Sequence, residues 1–146
     1  MATEPHTIEL TVDSDARLAA GAGGAARYLA DAAGLSREAS GQWREAAVAA
    51  CLEAFECLTP EHPHLRVVCA RFADRLEIAL THNGDCAPAV GLDSIAGFLA
   101  APVEGGAPRS ILAGVDRVQY DARTGEAVTR LTKYLGHRSA NAQNWV

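Results

Sequence analysis

The sequence predicts an α+β fold: a two-layer sandwich whose mostly antiparallel, mixed sheet carries its helices on one face. Two observations predict it. Strand-like segments bunch together instead of alternating with helices, as a parallel α/β fold would require. Between the first strand and the next pair lie two long stretches with apolar residues at helical spacing. A chain of 146 residues suits one domain and not comfortably two.

Residues 7–12 (TIELTV) alternate and read as a strand. Asp13, Ser14 and Asp15 then offer an N-cap for a helix over 16–33. Gly21, Gly23 and Gly24 weaken that helix, each by ~1 kcal/mol against alanine. A broken helix is the default expectation there, and a tightly packed partner the alternative. Gly34 is placed to end the helix. A second helix starts at Ser36 and runs to 58, ahead of Pro60. Trp43, Ala47, Cys51, Ala54, Phe55 and Leu58 define its buried stripe. Glu53 and Cys57, four residues apart, lie beside that stripe.

Residues 65–71 (LRVVCAR) and 75–81 (RLEIALT) read as a hairpin turning at 72–74. Leu76, Ile78 and Leu80 mark its dry face. Residues 82–91 are polar, hold Gly84, Pro88 and Gly91, and read as a loop. A short helix over 92–100, a second loop over 102–108 and a helical stretch over 109–113 follow. Residues 115–120 and 126–135 are the last strands, joined around Thr124 and Gly125. Residues 137–146 read as a loose polar tail, which leaves 1–136 as a single domain.

Composition narrows the function. The chain is 49% hydrophobic and 21% charged, as globular domains are. Only 5% is aromatic and alanine is abundant, so the core relies on small contacts and close helices. A net charge of -5 argues against duplex nucleic acid or an anionic membrane as partner. No apolar run approaches the ~20 residues that span a bilayer. The N-terminus lacks the basic-then-apolar order of a signal peptide, so a cytoplasmic location is expected. Cys51, Cys57, Cys69 and Cys86 form no Cys-x-x-Cys pair, and four small buried hydrophobes are expected rather than a disulfide framework.

The order of elements, the Glu53-bearing helix ahead of a hairpin, and the ending VDRVQY (115–120) plus AVTRL (127–131) carry a resemblance. The chain resembles the Bergerat ATP-binding fold of the GHKL superfamily, the histidine-kinase-type ATPase fold. Within it, the chain is similar to small bacterial anti-sigma factors that are serine-protein kinases. The resemblance covers 7–136 and rests on the ordered set of motifs, none of them specific alone.

The resemblance implies ATP and Mg²⁺ as cofactors and assigns roles. Glu53 matches the Glu that positions or deprotonates the attacking hydroxyl. Cys57 stands where the family has an Asn whose side-chain oxygen holds Mg²⁺, and a neutral thiol is a poor ligand for so hard an ion. His82 stands for the Asp that accepts from the adenine amino group, Gly84 keeps the first Gly of that motif, and Cys86 replaces its last Gly. Gly105 and Gly106 match the phosphate lid, whose final Gly falls on Ala107 or Pro108. Arg109 or Ser110 would meet a phosphate. Cys57, His82 and Cys86 would converge on one pocket, but their spacing matches no zinc pattern, so no metal site is assigned.

The expected function is therefore a bacterial anti-sigma-factor-like regulator with a degenerate ATP site. It would control transcription by binding a sigma factor or an anti-anti-sigma protein, as a homodimer by analogy. An active ATP-dependent serine-protein kinase with Glu53 as base is one alternative. An unrelated small α+β binding or dimerisation module is another.

Overall fold

A computed structural model describes residues 5–84, 114–123 and 125–135. The described elements are β1 (His6–Val12), α1 (Ala16–Ala32), α2 (Arg37–Phe55), β2 (Leu65–Arg71), β3 (Arg75–Asn83), β4 (Arg117–Arg123) and β5 (Glu126–Tyr134). The fold is α+β, with five strands in the order β1-β2-β3-β5-β4. A mixed sheet was expected. Among the described residues every pairing is antiparallel. Two hairpins and the β1–β2 return supply three of the four pairings, and the fourth, β3 with β5, is a long-range antiparallel pairing.

Register sorts the two faces. Ile8, Leu10 and Val12 lie across from Cys69, Val67 and Leu65. Ile78 and Leu80 lie across from Leu131 and Thr129. With period 2, these residues share the face that packs under α1 and α2. The opposite face carries Glu9, Arg66, Glu77 and Arg130, joined as the ion pairs Arg66–Glu9 and Arg130–Glu77.

Asp15 caps α1 by accepting from the Arg17 N–H at 2.8 Å, and Ser36 caps α2 by accepting from the Ala39 N–H at 3.1 Å. The expected break in α1 does not occur: the helix is continuous over 17 residues. Gly23 explains it, because it is buried against α2. A Cβ there would stand 2.5 Å from Val48 Cγ2 and 3.1 Å from the Arg44 carbonyl oxygen. Ala19, Ala22 and Ala26 of α1 and Ala47, Ala50 and Ala54 of α2 are fully buried, so the two helices meet through alanine and glycine surfaces. Beneath them Trp43, Leu65, Val67, Leu76, Ile78, Leu80 and Leu131 fill the space to the sheet.

Three elements shift by more than one residue from expectation. The second helix ends at Phe55 rather than 58. β4 runs over Arg117–Arg123 rather than 115–120. β3 runs on through His82 and Asn83, which were expected in a loop, because Asn83 still pairs with Glu126 across β5. The turn comes only at Gly84, at φ 113, where its N–H donates to the Gly125 carbonyl at 2.9 Å. That left-handed φ suits glycine. The helices expected over 92–100 and 109–113, and the tail over 137–146, lie outside the described residues.

Candidate functional site

The topology brings the end of α2 and the end of β3 to one end of the sheet. α1 starts beside the end of β1, and its last turns lie beside the start of β1, where Tyr28, Leu29 and Ala32 share a cavity with His6, Thr7 and Ile8. Only residues 33–36 join α1 to α2, and the two helices pack together at Gly23 and Val48, so α2 runs back along α1 in the opposite direction. Its last turn therefore returns to the end of the sheet where β2 begins at Leu65 and β3 finishes at Asn83. Glu53 and Cys57 belong to that end, and so do His82 and Gly84. Cys86, Gly105, Gly106, Arg109 and Ser110, the rest of the expected site, lie outside the described residues.

Glu53 is half-buried on the last full turn of α2. Cys57 follows one turn later, is 6% exposed, and is disulfide-bonded. This corrects the expectation that all four cysteines are free buried hydrophobes. Cys51 and Cys69 do fit it, as buried free thiols. The partner of Cys57 lies outside the described residues. A sulfur held in a disulfide is neither a thiolate nor a hard oxygen donor, so it offers Mg²⁺ nothing.

His82 is 2% exposed. Its Nδ1 lies 3.1 Å from the Asn83 carbonyl oxygen, which only accepts, so Nδ1 carries the proton and donates. In the neutral ring that leaves Nε2 as an acceptor, buried and with no hydrogen-bond partner. An Nε2 acceptor keeps the accepting role that the resemblance gives to the carboxylate, so His82 does not argue against an amino-group ligand. One of the positions the resemblance assigns to the nucleotide, Cys57, thus does not fit a Mg²⁺-bound ATP, and no step is derived through it.

A further residue, which the sequence reading missed, is Thr129. It is 1% exposed, and its Oγ1 is likewise buried without a partner. His82 pairs across the ladder with Ala127, so Thr129 is its diagonal neighbour on the same face. A lone-pair nitrogen and a hydroxyl on this face are thus both buried without a partner, at a cost of ~1–3 kcal/mol each. The signal was in the sequence: Ala127, Thr129 and Leu131 alternate on the inward face, and only Thr129 is polar. Ser40 Oγ is also buried and unpartnered, but it belongs to the first turn of α2, at the opposite end of the fold.

The free thiols are not nucleophiles. Burial pushes Cys51 up to about 12, with Cys69 nearby adding to it, and burial pushes Cys69 up to about 11. Thiolate chemistry needs the opposite shift. Among the described residues no three His, Cys, Asp or Glu side chains form a metal cluster. No described helix is long and apolar enough to cross a membrane.

A scan of the chain against protein-family models finds no match, and a search of curated proteins finds none.

Proposed function

We propose that the chain is an anti-sigma-factor-like regulator of the Bergerat-fold, serine-protein-kinase type with a degenerate nucleotide site. It acts by holding a protein partner, a sigma factor or an anti-anti-sigma protein, without transferring phosphate to it. The observation that carries the reading is Cys57. At the position the resemblance gives to the Mg²⁺-binding Asn, one turn beyond Glu53, the sulfur is already spent in a disulfide. The shared location of Cys57 and His82 with Glu53 supports the resemblance itself.

Calorimetric titration of the unreduced protein with ATP and Mg²⁺ tests the reading. The expected result is no saturable binding in the micromolar range and no phosphate transfer to a serine protein recovered with the chain. A dissociation constant in the low micromolar range overturns the degenerate site. Transfer that Glu53→Ala abolishes would instead make the chain an active kinase with Glu53 as base.

A further inference from the structure

Among the described residues, two hollows open on the sheet. The one on the polar face, about 340 Å³, has Arg66 and Arg130 at its rim, and both already face carboxylates, Glu9 and Glu77. Its charges are neutralised within the fold. The second, about 320 Å³, lies between β1 and the C-terminal half of α1 and differs in kind.

Its apolar lining is Ile8, Leu29 and Ala32, and Arg71 and His6 close one side. His6 and Arg71 are cross-strand partners. On the helix-facing side of the sheet, Arg71 is half-buried, and among the described residues its guanidinium makes no ion pair or side-chain hydrogen bond. Tyr28 stands at the mouth with 66% of its surface exposed, the most exposed large apolar side chain among those described. The carbonyls of Leu29, Ala30 and Asp31 at the end of α1 accept from the N–H groups of Ala33, Gly34 and Leu35. The helix end is thereby satisfied, and the guanidinium dominates the charge of the hollow. Asp31, the nearest acid on α1, is turned to Arg27 at 3.7 Å.

We propose that this hollow is a binding site for a small amphipathic monocarboxylate. The carboxylate is held by Arg71, whose planar fork matches it in two parallel hydrogen bonds. The alkyl or aryl body lies against Ile8, Leu29 and Ala32, under the Tyr28 ring. Pockets of this size sit at the small end of the range for organic ligands and carry few polar groups on an apolar lining. The inference does not depend on the reading of the Glu53 end, because the two sites lie at opposite ends of the sheet.

The test is methyl and amide NMR of the full chain, titrated with hexanoate and 4-phenylbutyrate and, separately, with hexan-1-ol. Both acids are expected to give saturable shifts confined to Ile8, Tyr28, Leu29, Ala32 and Arg71, and the alcohol to bind at least about tenfold more weakly. Arg71→Gln is expected to erase that preference for the acid. Ala32→Phe, which fills the hollow and leaves the charge in place, is expected to abolish binding of both acids. No shifts at millimolar acid, or equal binding of acid and alcohol, overturns the proposal, as does unchanged binding in Ala32→Phe.

Discussion

Replacing Gly23 with alanine tests how α1 and α2 are held together. In an unhindered helix interior the change stabilises by ~1 kcal/mol. Here the new Cβ would lie 2.5 Å from Val48 Cγ2, 3.1 Å from the Arg44 carbonyl oxygen and 3.2 Å from Arg44 Cγ. Val48 is β-branched and holds one strongly preferred rotamer in a helix, so its methyl does not swing aside freely. The Arg44 carbonyl moves only if α2 moves. Overpacking of this kind costs ~1–3 kcal/mol, so Gly23→Ala is expected to lose ~1 kcal/mol net. One residue along, a Cβ on Gly24 meets nothing within 4 Å. Gly24→Ala is expected to gain ~0.5–1 kcal/mol. Neighbouring glycines thus receive opposite signs, separated by ~2 kcal/mol, or about 4–8 °C in Tm for a chain of this size. Urea and thermal unfolding followed by circular dichroism measure both. The reasoning fails if Gly23→Ala is as stable as Gly24→Ala. It gains further support if adding Val48→Ala to Gly23→Ala restores part of the loss.

Further expectations follow from the buried polar and sulfur groups. Thr129→Val removes an unpartnered buried hydroxyl at constant shape and is expected to raise stability by ~1 kcal/mol. A loss would show that something satisfies that hydroxyl in solution. Reduction of the Cys57 disulfide is expected to cost ~2–4 kcal/mol, with Cys57→Ser matching the reduced wild type in unfolding. Equal stability with and without reductant would refute it. Cys51 and Cys69 are raised in the fold from an ordinary 9.0 to about 12 and about 11. Their contribution is therefore intact below pH 9 and is lost as pH climbs through the folded values. Both thiols should resist alkylation at pH 8 until the chain unfolds, and native-state labelling at free-thiol rates would contradict that.

Local patterns carried much of the fold. The alternation of Leu76, Ile78 and Leu80 announced the dry face of β3, and the spacing of Trp43, Ala47 and Cys51 announced the buried stripe of α2. What local patterns could not carry was long-range choice. β5 enters between β3 and β4, a placement decided by pairing residue 78 with residue 131, not by any turn. Asn83-Gly84 has the look of a turn after a strand that has already ended, yet the ladder continues through Asn83 because Glu126 is there to meet it. Gly21, Gly23 and Gly24 are chemically identical, and only the position of Gly23 on the α2-facing side separates it from the other two. At the candidate site, Glu53 and His82 were legible as polar residues near the ends of apolar patterns. The Cys57 bond was not, since covalent pairing depends on proximity in space rather than on spacing along the chain. Thr129 was readable and overlooked, because a single threonine in a strand is ordinary until its neighbours are known to be dry.

The insertion of β5 also dictates the order in which the molecule is completed during synthesis. β1, β2, β3 and both helices emerge from the ribosome while the partner of β3 is still unmade. Through that interval β3 presents an unprotected, valency-hungry margin bearing Leu76, Ile78 and Leu80, the kind of template that recruits foreign strands. Nascent chains stalled before residue 126 should accordingly sediment as aggregates, while those released after residue 134 stay dispersed.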